Sequence, residues 1–163
     1  MSPTSPATCA PASPCTCFKV RSLARRMSQL YDEILAPSGL RGTQYSVLAH
    51  ARRPRGGVPP GVSELAAAMH TDRTTLTRNL RPLIGAGLVA LEGGANARSK
   101  AVVVTPAGEA AFRQARERWR VAQTRVREIA GVAEVERLEA LIDGMLPLFK
   151  VPAPAEAVEG EAE

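Results

Sequence analysis

Between residues 72 and 81 the chain reads Asp72-Arg73-Thr74-Thr75-Leu76-Thr77-Arg78-Asn79-Leu80-Arg81. After Asp72 its polar members are hydroxyls, an amide and guanidinium groups, with neither Glu nor Lys among them. A helix face kept only for solubility mixes Glu with Lys. A face of Arg, Thr and Asn instead offers the forked donors and short hydroxyls that reach phosphate oxygens and base edges. A second chemical group lies upstream: Cys9, Cys15 and Cys17 are the chain's three cysteines and fall within nine residues of one another. Their chemistry would be thiol oxidation or soft-ion ligation rather than a disulfide framework, because no cysteine lies further along to pair with.

The elements that must position these groups follow from the apolar spacing. Leu76, Leu80, Leu83 and Ile84 recur at helical spacing and are expected to face a core, which turns Thr74, Arg78 and Arg81 outward with Thr75 and Asn79 beside them. Thr71 or Asp72 can cap this helix by accepting from a first-turn N–H. Ser63 is expected to cap a preceding helix whose Leu65, Ala66 and Met69 point inward. Pro82 lacks the N–H that would bond the Arg78 carbonyl, so a kink is expected there, leaving residues 72–81 as the reading segment.

Around this pair, Val20, Leu23, Met27, Leu30 and Ile34 predict an amphipathic helix from Cys15 to about Leu35, ended by Pro37 and Gly39. A shorter helix from about Thr43 to Arg52 would bury Tyr45, Val47 and Leu48. Arg53 to Gly61 holds three Pro and three Gly and reads as a loop or a short edge strand. Gly85 and Gly87 stop the Arg-rich helix. The apolar runs 88–91 and 101–104 then predict a β-hairpin whose basic tip carries Arg98 and Lys100 toward a DNA backbone or minor groove.

Beyond Thr105-Pro106, Phe112, Ala115, Trp119, Ala122, Val126 and Ile129 form one long stripe, Gly131 interrupts it, and Val135, Leu138, Ile142, Met145 and Phe149 form another. A small winged core cannot cover both stripes, so they are expected to interlock with those of a second copy. The expected fold is mainly α with a small β-hairpin wing: a winged helix-turn-helix of six helices, dimerised through its N- and C-terminal helices. The expected domain plan is a disordered arm over 1–14, a winged domain over 15–150 and an acidic disordered tail over 151–163. Within the domain, 15–36 and 106–150 dimerise and 43–105 form the DNA-binding lobe.

Charge and composition point the same way. With 21 Lys and Arg against 16 Asp and Glu, the net charge is +5, and the four Glu of residues 151–163 leave +9 on residues 1–150. That excess favours a polyanionic partner. Aromatics make up only 4% of the chain, which argues against single-strand binding by base stacking. No apolar run approaches the length that spans a bilayer, so no membrane partner is expected. Residues 1–14 have no basic start or apolar centre and do not read as a secretory signal. Together with the cysteine usage this gives an expectation of a cytoplasmic protein. His50 and His70 stand apart from each other and from the cysteines, so both read as structural or surface residues. Neither a resident metal nor a cofactor is expected. Cys17 is accompanied by no acid, base or oxyanion set, so an enzyme is not expected.

In their order and spacing several motifs carry a resemblance: Gly39-Leu40 with Gln44-Tyr45, Asp72 to Arg78 with Gly87-Leu88-Val89, and Val104-Thr105-Pro106-Ala107-Gly108. From about Cys17 to Phe149 the chain resembles the MarR family of dimeric bacterial transcription regulators. The resemblance implies a six-helix winged homodimer on double-stranded palindromic operators, usually a repressor released by a small ligand or an oxidant. Asn96-Ala97-Arg98 stands where the family's wing commonly reads Asp-Arg-Arg, so Arg98 remains to read the minor groove without its neighbouring acid and base. Arg73 and Arg78 are the candidates for base or phosphate, and Thr74, Thr75 and Thr77 for phosphate and thymine methyl.

Cys15 and Cys17 stand at the start of the first helix, with Lys19 and Arg21 nearby, a setting that makes a thiol reactive. Cys17-Phe18, Arg25, Met27, Leu30-Tyr31 and Gln44-Tyr45 resemble the organic-hydroperoxide-sensing branch of the family, in which a cysteine at the Cys17 position becomes a sulfenic acid. Tyr31 stands where that branch places one thiol-binding tyrosine; Arg21 and Gly42 occupy the places of the other two. Three readings stay open for Cys15, Cys17 and Tyr31: a redox switch, thiolate capture of zinc, cuprous copper or arsenite, and a small buried Cys17 with incidental neighbours. A small aromatic inducer is compatible with each. The function expected is a DNA-binding repressor released by such a ligand or by thiol modification near Cys17. The alternatives are a thiolate metal- or arsenite-responsive regulator and a winged module that binds another protein.

Overall fold

The computed structural model describes residues 14–52, 58–93 and 100–149. The expected arm (all but Pro14), the tail 151–163, Cys9 and the wing-tip Arg98 lie outside them. The described elements are α1 (Thr16–Leu35), α2 (Gly42–Ala51), α3 (Val62–Ala68), α4 (Arg73–Gly85), β1 (Val89–Gly93), β2 (Lys100–Val104), α5 (Pro106–Ala130) and α6 (Val132–Met145), with short 3-10 turns after α1 and α6. This is the expected winged helix-turn-helix order. Of the described residues, those up to Ala122 form one compact unit and those from Gln123 onward a second.

In the first unit the core is leucine-rich: Leu35, Leu48, Leu65, Leu76, Leu80, Leu83, Val47 and Val102 are its fully buried side chains. They come from four helices and a strand, so no single element is stable without the others. α1 closes through a 3-10 turn into Gly39, whose φ of 74° lies in the left-handed region that favours glycine. The Gly42 N–H then donates to the Asp32 carboxylate at 2.7 Å, tying the first turn of α2 to α1. Tyr45, Val47 and Leu48 are buried as expected.

Two local expectations are corrected, the cap of α3 and the burial of Ile84. Gly61, not Ser63, stands at the N-cap of α3. Gly61 bridges antiparallel to Ala101, and the Val102 N–H donates to the Pro60 carbonyl at 2.9 Å, so the chain leaves the sheet edge and turns into helix before it reaches Ser63. α4 runs unbroken through Pro82 to Gly85; Leu80 and Leu83, each 1% exposed, anchor the turns on both sides of the proline. Ile84 lies outside the buried stripe at 37% exposure, one helical step round from Leu83.

β1 and β2 pair antiparallel with Val89 opposite Val104 and Gly93 opposite Lys100. The first part of the α5 stripe is covered within the single chain: Phe112 and Ala115 join the first unit's core, with Trp119 partly buried against it, and Ala122 is fully buried. In the second unit Val126 and Val135 are buried, Gly131 turns between α5 and α6 at φ 89°, and Ile129, Ile142, Met145 and Phe149 remain exposed.

Candidate nucleic-acid interface

The α3–α4 turn and the cap of α4 set the orientation of the Arg-rich face. At the end of α3 the His70 N–H donates to Ala67 at 3.1 Å and the Thr71 N–H to Ala66 at 3.0 Å, the paired bonds of a Schellman ending. His70 occupies the left-handed position of that ending at φ 50°, where glycine is usual. Two residues on, the Asp72 carboxylate accepts from the Thr75 N–H at 2.8 Å and from its hydroxyl at 2.6 Å. The hydroxyl bond first and the backbone bond second hold the Asp72 carboxyl below its ordinary range.

From this cap α4 presents two faces. Leu76, Leu80 and Leu83 are buried, while Arg73, Thr74, Thr75, Thr77, Arg78 and Arg81 are exposed and Asn79 is half-buried. Thr74, Arg78 and Arg81 succeed one another by single turns on the side opposite the leucines. The hydroxyls differ in what they have left to offer. Thr75 donates to Asp72, and Thr77 donates to the Arg73 carbonyl at 2.7 Å, so both turn lone pairs and methyl groups outward.

The base of the hairpin is locked to both flanking helices. The Thr105 hydroxyl donates to the Gly87 carbonyl at 2.7 Å and accepts from the Gly108 N–H at 3.0 Å, while the Thr105 N–H donates to Leu88 at 3.1 Å. A methyl at Gly108 would run into the Leu88 carbonyl oxygen and lie 2.8 Å from a Val104 methyl. Gly87-Leu88-Val89 and Val104 to Gly108 are thus two sides of one joint. Lys100 is exposed and stands opposite Gly93 at the last described rung of the hairpin.

Behind the joint, Arg52 and Glu109 form a group that local spacing did not reveal. Arg52 Nε lies 2.6 Å from Glu109 Oε2, and its guanidinium carbon sits 4.1 Å from the centre of the Phe112 ring. Phe112 in turn stacks on Tyr45, and Tyr45 on Trp119. Arg52 and Glu109 are 57 residues apart in sequence, so only the folded chain brings them together.

The sensor candidates are dispersed along one helix. Cys15 is the N-cap residue of α1, and the Cys15 and Cys17 side chains are both exposed, so Cys17 is not a small buried residue within the single chain. Tyr31 is on the same unbroken helix, fourteen residues beyond Cys17, which puts the two about 21 Å apart along the axis. Tyr31 therefore does not meet Cys17 of its own chain. His50 bonds through Nδ1 to the Ser46 carbonyl at 2.8 Å, and both histidines are exposed. No helix among the described residues is long and apolar enough to cross a membrane.

No protein-family model and no curated protein matches the chain. Solved structures do. The Mycobacterium tuberculosis transcriptional regulator MosR, in complex with DNA, is 38% identical over 84% of this chain and 99% of its own, with a TM-score of 0.71. Apo MarR of Escherichia coli is 23% identical over 83% of this chain and 100% of its own, at a TM-score of 0.64. BpsR of Bordetella bronchiseptica, whose DNA binding is regulated by 6-hydroxynicotinic acid, is 18% identical over 85% and 99%, at 0.72. The last two share the fold alone, but MosR is similar in sequence along nearly its whole length. With the winged order, the capped Arg-rich helix and the Thr105 joint all in place, the chain belongs to the MarR family of transcriptional regulators.

Proposed function

We propose that the protein is a repressor that binds a palindromic operator in double-stranded DNA as a homodimer, in the cytoplasm and without catalytic activity. The observation that carries this reading is the exposed face of α4, where Thr74, Arg78 and Arg81 stand opposite the buried Leu76, Leu80 and Leu83. Arg73 and Arg78 reach base edges or phosphates, Thr74 donates to phosphate, and Thr75 and Thr77 turn methyl groups toward thymine. Arg98 on the wing enters the minor groove. Residues 43–105 form the DNA-binding lobe, and 15–36 with 106–150 the dimerisation helices. Two α4 helices in such a dimer would be spaced about 34–36 Å apart to meet successive turns of the major groove.

Release from DNA is assigned to thiol modification near Cys17. Support comes from the exposure of Cys15 and Cys17 at the first turn of α1, where a dissolved oxidant or electrophile can reach either sulfur. A small aromatic inducer is the second reading, supported by the regulation of BpsR by 6-hydroxynicotinic acid.

Both parts are tested by titrating the dimer with duplex DNA at several salt concentrations. Several phosphate contacts should lower the affinity about 10³–10⁵-fold between 50 and 200 mM salt. A flat salt response, or no binding to any duplex, would sink the DNA reading. The same titration with an organic hydroperoxide or an aromatic acid, on wild type and Cys17→Ser, separates the two modes of release: loss of response in the variant alone assigns it to the thiol.

A further inference from the structure

The charges on α1 are segregated along the helix and those on α6 round it, the exposed Arg137 of α6 lying about 100° round from Glu136. Lys19, Arg21, Arg25 and Arg26 occupy the first half of α1 with no acid before Asp32, and all four are exposed. On α6 the exposed acids Glu136, Glu139 and Asp143 follow one another at steps of three and four, forming a stripe along one face. Among the described residues the ion pairs join Arg52 to Glu109, Arg120 to Glu117 and Arg125 to Glu128, and none involves these groups. Each set also borders uncovered apolar surface: Val20 and Leu23 on α1 are 61% and 43% exposed, and Ile142 and Met145 on α6 are 46% and 45% exposed.

Lys19 and Arg26 are seven residues apart, two helical turns, and so flank the Val20–Leu23 stripe on one side. Charges that flank an apolar seam are the positions that select partner and register when helices associate. DNA would suit the bases of α1 and repel the acids of α6. A second copy of the chain satisfies both signs and both apolar stripes, and two-fold symmetry makes the same contact twice.

We propose that charge selects the second copy: the basic first half of α1 on one protomer lies along the Glu136–Glu139–Asp143 stripe of α6 on its partner, beside the apolar stripes that the two helices share. This rests on the homodimer proposed above and adds to it the contact that chooses the mate. Dimerisation is accordingly weakened by salt, and a chain in which only one of the two charge sets has been reversed rejects its own copy.

The test uses two full-length variants, K19E with R26E and E136K with E139K, both altered only at exposed side chains and first compared with wild type by circular dichroism and melting temperature. Sedimentation at low salt should show each variant dimerising at least about ten-fold more weakly than wild type, since several exposed pairs are turned into repulsions. An equimolar mixture should recover dimer, because each variant then meets its complement at both contacts. Variants that dimerise as well as wild type overturn the proposal, as does a mixture no better than its components. Intact dimers with weakened DNA binding in the α1 variant also overturn it and hand those bases to DNA. A monomeric wild type would instead remove the homodimer reading itself.

Discussion

Tyr45 lies flat against Phe112, ring centroids 5.0 Å apart and planes 8° from parallel. The pair joins α2 to the first third of α5, and Trp119 extends the stack at 5.8 Å from Tyr45. Phe112 is 6% exposed and also carries the Arg52 guanidinium on its ring. Phe112→Ala should therefore cost about 3–5 kcal/mol in urea unfolding, the range for a buried aromatic truncated to a cavity. A loss below about 1 kcal/mol would mean that α5 is held to α2 by other contacts.

Gly108 offers a sharper test of the joint under the wing. Its position against the Leu88 carbonyl leaves no space for even one methyl, and the obstacle is backbone rather than a side chain that can swing aside. Gly108→Ala is expected to destabilise by about 3 kcal/mol and to disturb the hairpin base first. Amide exchange should quicken at Leu88 and Thr105 before it quickens at Leu48. Equal effects at all three sites would place the damage in the general core.

Most of the fold was legible because its signals are local and periodic. Leu76, Leu80 and Leu83 announce the buried face of α4, and so the outward direction of Arg78, from spacing alone. Misreadings arose where a distant partner decided the outcome. Ser63 is a good cap by type, yet the bridge from Gly61 to Ala101 begins the helix earlier. For the sensor candidates, helix geometry alone keeps Tyr31 away from Cys17.

His70 holds a left-handed backbone conformation at the turn between α3 and α4. A Cβ in that conformation costs roughly 1–2 kcal/mol, part of which glycine returns as unfolded-state entropy. His70→Gly should raise stability by about 0.5–1 kcal/mol, an increase of roughly 1–4 °C in melting temperature for a chain of this size. An unchanged or lowered melting temperature would show that the imidazole makes a compensating contact.

Asp72 gives α4 a pH dependence of definite sign. Its folded-state pKa is lowered by the two Thr75 bonds, so its contribution to stability is fully present above the ordinary carboxylate range. That contribution is lost as pH falls through the lower, folded value. Asp72→Asn keeps a capping oxygen but no charge. The melting-temperature gap between wild type and Asp72→Asn should be constant near neutrality and should close on acidification below the ordinary aspartate range. A gap that widened with acid would contradict the assignment of the shift to the Thr75 bonds.

Arg78 and Arg81 share an exposed face, yet their removal should read out differently. Arg78 is the nearer to the N-terminal end of α4, the part of a recognition helix that meets base edges. Arg78→Ala should lose about 1–3 kcal/mol for the operator, roughly 5- to 150-fold, and discriminate less against substituted sites. Arg81 is exposed one turn further on, and on the proposed reading it meets the phosphate backbone rather than a base edge. Arg81→Ala should weaken all duplexes alike and lower the salt slope by about one ion. Neither change touches the buried leucines, so melting temperature and sedimentation should stay at wild-type values. Competition titrations with operator and scrambled duplex distinguish the two arginines: equal losses on both duplexes for Arg78→Ala would move it from base reading to backbone contact.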